Sequence, residues 1–313
     1  MESTLLLKSR PTPAEMSANG FADGASAGIT PDSRAAEQRH AVRFFGFPGG
    51  ERHVALPTSV VASSHGYWEV EAHLYDTAGV MDLLLLHDAL RRALPRASVI
   101  ELLLPYVPYA RQDRVANAGE PLSAAVFCGL INSMRFSTVT IADPHSDVVS
   151  ALLDNVRVLR ADTFVRQLFA GALAHLFNPN RLGGAGPTLV SPDAGARKRT
   201  EALSAAFKLP AIHAFKHRDT VTGRLSGSII EGRVPAGPLV VTDDICDGGG
   251  TFLLLADALR AHTQQPLYLY VTHGLYTKGL DALRQKYAGI YCAYCANPQY
   301  RLETALTAPP PAA

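Results

Sequence analysis

The sequence lacks an excess of charge of either sign. Of 313 residues, 29 are Lys or Arg and 28 are Asp or Glu, a formal net charge of +1. No basic surplus exists to follow a phosphate backbone, so nucleic acid is not an expected partner, and no acidic run forms a tail. Cysteine is scarce too: Cys128, Cys246, Cys292 and Cys295 are too few and too scattered for a disulfide framework. A reducing compartment, the cytoplasm, is therefore expected. Cys292 and Cys295 form a CxxC, but no second Cys pair or His pair lies nearby. Ordinary strand or loop thiols are expected there rather than a zinc site. No apolar run approaches the roughly 18 residues of a membrane helix, and the leucines at 5–7 are too short a run for a signal-peptide core. Neither a membrane partner nor export is expected.

What the chain does have is 47 % hydrophobic residues, enough for a sizeable core in one large domain or two of average size. Residues 1–39 are rich in Ala, Ser, Pro, Gly and Thr without a sustained period and read as a flexible leader. Residues 301–313, ending TAPPPAA, read as a loose tail. Between them strands and helices alternate. VRFFGF (42–47) reads as a strand, and AGVMDLLLLHDALRRAL (78–94) as a helix whose basic end suits a helix C-terminus. SVIELLLPYV (98–107) is a buried strand and PLSAAVFCGLINSM (121–134) a helix. STVTIADPH (137–145) is a strand, ADTFVRQLFAGALAHLF (161–177) a helix and GPTLVSPDAG (186–195) a strand. ARKRTEALSAAF (196–207) is a helix, GPLVVTDDICDGGG (237–250) a strand into a glycine turn, TFLLLADALRAH (251–262) a helix, and PLYLYVTHGL (266–275) the final strand.

Such alternation implies α/β architecture with parallel sheets covered by helices. Ligands in these sheets sit at the C-terminal ends of the strands. Each unusual polar cluster falls at such an end: ARQDR, DPHS, SPDAG and DDICDGGGT. Because both halves repeat the pattern, two similar domains are expected, 40–160 and 161–300, with a linker near 159–163.

The stretch VVTDDICDGGGTF (240–252) carries the most chemistry. Gly248, Gly249 and Gly250 permit positive φ and close backbone approach. Their N–H groups can form an anion-binding nest, reinforced by the positive end of the helix that follows. Thr251 can cap that helix and donate to a phosphate. Asp243 and Asp244 cannot bind phosphate, but carboxylates accept hydrogen bonds from sugar hydroxyls or hold Mg²⁺. The stretch is read as a sugar-phosphate site. It is not a Walker A loop, since no GK[ST] follows.

An acidic pair, a third Asp, glycines and Thr after a hydrophobic strand resemble the phosphoribosyl-diphosphate (PRPP) loop of the type I phosphoribosyltransferase fold. PYVPYARQDRVANAGEPLSA (105–124), DPHS (143–146) and VSPDAGARKR (190–199) narrow the choice. With DDICD, and in this order, they resemble the ribose-phosphate diphosphokinases, the PRPP synthetases, over roughly residues 44–298. The resemblance implies two phosphoribosyltransferase-like domains, each a parallel sheet flanked by helices. It implies a Mg²⁺-dependent enzyme that moves the diphosphate of ATP onto the C1 hydroxyl of ribose 5-phosphate, releasing AMP, and a homo-oligomer, a dimer or a hexamer built of dimers.

Residue by residue, Arg111, Gln112 and Asp113 match the ATP-contacting motif, and an arginine there could clamp phosphate oxygens bidentately. His145 matches the metal-ligating histidine and Asp193 a second metal contact. Lys216 and Arg218 match the basic pair that opens the catalytic loop, where positioned cations stabilise charge on the transferring group. Asp243, Asp244, Asp247, Gly248, Gly249, Gly250 and Thr251 become the ribose-phosphate site. FPGGE (47–51) stands where the family has its adenine-binding F-x-D-G-E, so Phe47 could stack and Glu51 accept a hydrogen bond.

Three departures stand out. Gly248 replaces the usual Thr, removing a hydroxyl donor and opening space. Gly49 replaces the usual Asp. The terminal elements look shortened. A roomier pocket suits ADP-ribose as an alternative acceptor, for rebuilding NAD, and a phage-associated subgroup has similar PGGE and DDICDGGGTF forms. A non-catalytic regulatory subunit is the alternative from another class.

Overall fold

Apolar runs and helical stripes alternate along the chain, and each packs against the partner that its period demands. The computed structural model describes residues 1–10, 37–64, 66–178, 186–218 and 225–307. Two units emerge, Met1–Val158 and Leu159–Ala313.

In the first unit a six-stranded sheet has the order β2-β1-β5-β6-β7-β8. The strands are β1 (Thr4–Arg10), β2 (Gln38–His40), β5 (Tyr67–His73), β6 (Val99–Leu103), β7 (Val139–Ala142) and β8 (Val156–Leu159). β5, β6 and β7 run parallel, whereas β1 pairs antiparallel with both β2 and β5. A separate hairpin joins β3 (Arg43–Gly46) and β4 (Arg52–Ala55). The short helix α1 (Thr58–Val61) follows the hairpin. α2 (Thr77–Ala93) begins where the Asp76 carboxylate accepts from Gly79 N at 2.7 Å, and carries Arg91 and Arg92 in its last turn. α3 (Ser123–Ser133) and α4 (Asp147–Leu152) complete the unit. Leu83, Leu86 and Leu90 of α2 join Trp68, Val70, Ile100 and Leu102 of the sheet in one buried core.

The second unit holds a six-stranded sheet of order β11-β10-β9-β12-β13-β14. These are β9 (Thr188–Ser191), β10 (Ala211–Arg218), β11 (Leu225–Glu231), β12 (Leu239–Cys246), β13 (Leu267–Gly274) and β14 (Gly289–Cys295). Five strands are parallel, and only β11 runs against its neighbour. Helices α5 (Ala161–Ala170), α6 (Arg197–Phe207), α7 (Gly250–Arg260) and α8 (Asp281–Arg284) accompany the sheet. Phe252, Leu255 and Leu259 of α7 pack with Val241, Leu269 and Val271. β13 is buried along its whole length, which its continuous apolar run requires.

Four expectations need correction. The stretch read as a leader contains β1, whose Leu7 is 1 % exposed and which lies inside the sheet, not beside it. Both sheets are mixed rather than purely parallel. β13 is not the final strand, since β14 follows. The expected tail begins with turns that bury Thr304 and Leu306, and Cys292 N donates to Thr304 O at 2.9 Å.

Candidate functional site

The second unit gathers its unusual residues at one edge of its sheet. β9, β10, β12 and β13 are mutually parallel, so the turns that follow them share the edge at their C-terminal ends. SPDAG follows β9, DDICDGGG closes β12, and Thr277 and Lys278 follow β13. Lys216 and Arg218 lie on β10 beyond its last pairing with β9 at His213–Ser191. They were expected on a loop. The backbone instead continues as strand and pairs with β11, Lys216 opposite Ser228 and Arg218 opposite Leu225. Their side chains, and residues 219–224, lie outside the described residues.

The acidic pair is set deep. Asp244 is 4 % exposed, and Asp243 Oδ1 accepts from Asp244 N at 2.9 Å. Arg199 of α6 reaches both carboxylates, 3.5 Å from Asp243 Oδ1 and 3.6 Å from Asp244 Oδ1. Its helix is tied to β12 where Thr200 Oγ1 and Thr242 Oγ1 meet at 3.2 Å. Burial, together with the adjacent Asp244 charge, holds the Asp243 carboxyl well above the ordinary carboxylate range, against the opposing pull of Arg199. Two carboxylates sharing one guanidinium in a dry site are suited to accept further donors, such as vicinal sugar hydroxyls.

The glycine turn comes next. Gly249 sits at φ 77, left-handed backbone that glycine adopts without strain, and α7 starts at Gly250. The helix has no side-chain cap, so Thr251 lies at its second position and does not cap it, contrary to expectation. The first N–H groups of a helix have no partner within it and suit an anion. Asp247 is held from the side: Thr277 Oγ1 donates to its Oδ1 at 2.7 Å, and Thr277 N donates to its carbonyl at 3.1 Å. A methyl group built on Gly248 would lie 3.3 Å from Lys278 Cδ, 3.4 Å from Cε and 3.6 Å from Cγ. The space that the missing side chain frees is therefore taken by the stem of Lys278, and the expected roomier pocket is not what the turn provides. Burial pushes the Cys246 thiol beneath the turn up to about 12.

In the SPDAG turn, Asp193 Oδ1 accepts from Ala196 N at 3.1 Å, and Ser191 Oγ donates to Asp193 O at 2.6 Å. Among the described residues no group of three or more His, Cys, Asp or Glu is arranged to hold a metal. A single carboxylate still fits Mg²⁺, which keeps most of its waters and completes its shell with phosphate oxygens. Of the CxxC, Cys292 Sγ donates to Thr304 Oγ1 at 3.2 Å and Cys295 Sγ to Asn297 O at 3.1 Å.

The first unit carries the remaining candidates. Phe47 and Glu51 flank the turn of the β3–β4 hairpin, with Phe47 N donating to Glu51 O at 2.8 Å and Gly50 at φ 94. Phe47 is 48 % exposed, its ring 5.5 Å from Phe45 and 5.6 Å from His53. A Cβ on Gly49 would meet Glu51 Oε2 at 3.2 Å, so the glycine lets the Glu51 carboxylate fold over the turn. Arg52 Nε binds Asp82 Oδ1 at 2.8 Å and its Nη2 binds Oδ2, pinning the hairpin to α2. In the ARQDR loop, Arg111 and Gln112 are exposed and Asp113 half-buried. Gln112 O accepts from Ala124 N at 3.2 Å, which ties the loop to α3. Glu120 takes both Asn117 N and Asn117 Nδ2, at 3.0 and 2.7 Å, and these bonds hold its carboxyl below the usual range. His145 is exposed, two residues after Asp143, whose φ is 38. Arg199 and Lys278 were given no role from sequence. The ARKR run was a visible signal for the first, whereas Lys278 lies thirty positions beyond the glycine it covers.

Comparison with known proteins agrees with the motifs. Residues 42–134 match the N-terminal domain of ribose phosphate pyrophosphokinase. The ribose-phosphate pyrophosphokinase of Bradyrhizobium diazoefficiens is 31 % identical over 203 residues, 65 % of this chain and 61 % of that protein. That of Streptomyces coelicolor is 29 % identical over 233 residues, 74 % of this chain and 68 % of that one. The alignments with the Bradyrhizobium protein and with that of Hyphomonas neptunium span about three fifths of those relatives, 61 % and 60 %. In fold, the chain is similar to the crystal structure of phosphoribosylpyrophosphate synthetase from Mycobacterium smegmatis, with TM-score 0.66 and 24 % identity over 81 % of this chain and 80 % of that one. Ordered motifs and a matching N-terminal domain agree: the chain is similar to the ribose-phosphate pyrophosphokinases in sequence, and to a phosphoribosylpyrophosphate synthetase in its α/β fold.

Proposed function

We propose that the chain transfers the diphosphate of ATP to the C1 hydroxyl of ribose 5-phosphate, giving PRPP and AMP. The observation that carries this reading is the convergence on one sheet edge of a buried acid pair, a glycine turn at a helix start, and the two basic positions on β10. The acids accept the ribose hydroxyls, and the turn receives the 5-phosphate. The C1 oxygen attacks the β-phosphorus of ATP; the bond from that phosphorus to the bridging oxygen breaks, the oxygen leaves with AMP, and the hydroxyl proton is lost. Lys216 and Arg218 balance negative charge on the transferring group. Phe47, Glu51, Arg111, Gln112 and Asp113 bind ATP. In the second unit Asp193 would hold Mg²⁺, which supplies charge neutralisation on the phosphate oxygens when bound; in the first unit His145 is the candidate metal ligand.

A paired assay tests the reading. Full-length protein, Mg²⁺ and ATP are mixed with ribose 5-phosphate or with ADP-ribose, and AMP and the new diphosphate are followed by mass spectrometry. Product from ribose 5-phosphate is expected; product from ADP-ribose alone would move the acceptor to that compound, and no AMP from either would leave a non-catalytic regulatory subunit. Lys216→Ala should lower turnover by about 100-fold or more while ribose 5-phosphate still binds. Equal AMP release by the variant would refute the role. The expected dimer or hexamer is read by light scattering on the same sample.

A further inference from the structure

We infer that Lys278 is a ligand-binding residue of this site, holding the phosphoryl group carried at C5 of the ribosyl ligand. The inference rests on the proposed reading of the glycine turn as a sugar-phosphate site and names the side chain that serves it. Gly248 presents no side chain, and the volume that a Cβ would fill is occupied by Cδ and Cε of Lys278, 3.3 and 3.4 Å from that position. The Cε–Nζ bond adds about 1.5 Å, so the ammonium lies within about 5 Å of the same point. The side chain thus lays its apolar stem over the turn and carries its charge at the tip, as lysines do along apolar surface.

The loop that carries it is fastened. Thr277 is joined to Asp247 by two hydrogen bonds, of 2.7 and 3.1 Å. Gly279 N donates to Tyr276 O at 2.9 Å, and Gly279 adopts φ 75, which closes a tight turn around Lys278. Among the described residues no acid forms an ion pair with Lys278, whereas Lys8 and Lys286 are each paired, at 2.7 and 2.5 Å. A cation held at a glycine turn, beside the start of an 11-residue helix, adds a point charge to backbone donors that already favour an anion. The glycine at 248 is then the condition for the lysine: any larger residue would displace the stem. Both a phosphomonoester, as in ribose 5-phosphate, and a diphosphate ester, as in ADP-ribose, offer the same chemistry to the ammonium.

Calorimetric titration of ribose 5-phosphate and of ADP-ribose, without ATP, into the full-length wild type, Lys278→Gln and Lys278→Arg tests the inference. Lys278→Gln should weaken whichever ligand binds by about tenfold, and Lys278→Arg should stay within about threefold of wild type. In turnover, the KM for the ribosyl substrate should rise with kcat and the KM for ATP unchanged, the mark of lost ground-state binding. Lys278 is exposed, so unchanged melting temperatures are expected and would show that the fold is intact. Unaltered affinity in Lys278→Gln overturns the inference while leaving the proposed function standing. Binding without turnover in the wild type would remove the diphosphate transfer, yet the affinity comparison would still decide Lys278. A wild type that binds neither ligand overturns both.

Discussion

Asp243 is a residue whose burial works against stability, a cost that its proposed role toward a sugar would explain. Its carboxyl titrates well above its ordinary value of 3.8 because burial and Asp244 disfavour its charge. A raised carboxyl costs stability as pH climbs above the unfolded value, since the folded protein holds a proton that the unfolded chain has released. Asp243→Asn should therefore melt at or above the wild-type temperature at pH 8, with the difference shrinking toward pH 4, while ribose 5-phosphate binding is lost. A lower melting temperature for the variant at pH 8 would contradict this. Gly249→Ala should behave oppositely. Left-handed backbone costs a non-glycine residue about 1–2 kcal/mol, and the new Cβ would lie 3.2 Å from Leu283 Cδ1, so both stability and binding should fall, as read by denaturant titration and calorimetry. The acid pair and the glycines were legible in sequence because their chemistry is local. Of their partners, Arg199 of α6 had a signal in the ARKR run, whereas Lys278 had none, because it is supplied by the turn that follows β13.

Elements were legible where their period ran long. α2, α3, α6 and α7 were found to within a few residues, as were β6, β7, β9, β12 and β13, each with a sustained apolar stripe or run. β1 and β5 escaped because half of each alternates with charge: Lys8 of β1 faces Glu69 and Glu71 of β5, at 3.1 and 2.7 Å. β14 escaped because its sequence GIYCAYC reads first as a CxxC. The basic stretch at 215–218 was taken for the start of a loop because the resemblance placed it there, yet its backbone continues as strand and pairs with β11. At the same scale, the β3–β4 hairpin packs Val54 and Phe44 on the core and is tied to α2 by the bidentate Arg52–Asp82 pair. Asp82→Asn should loosen it from α2, raising the KM for ATP while the KM for the ribosyl substrate stays as in the wild type. Equal effects on both constants would argue against a dedicated positioning role.

Across the whole molecule, the alternation of strand and helix was readable because apolar runs and helical stripes succeed one another along both halves of the chain. What composition obscured was the first sheet's dependence on its earliest strand. Glu71 links β5 to β1 within a charged cluster: hydrogen bonds from His73, then Lys8, lower its carboxyl from 4.5 to about 2. A depressed acid contributes its full stability above the unfolded value and loses it as pH falls from about 4.5 toward 2. Glu71→Gln should cost on the order of 1–3 kcal/mol at pH 7 and almost nothing near pH 2, measured by urea unfolding across pH.

The position of β1 also bears on how the protein is made. β1 is synthesised before β5 and has no seat beside it until β5 follows, and the closure entropy of the intervening chain must be met before the pairing is rewarded. Until then β1 is unpaired with β5 and open to strands of other chains. A fusion partner attached ahead of Thr4, or a slow stretch of translation before β5, would therefore act on yield and aggregation during synthesis rather than on the finished protein.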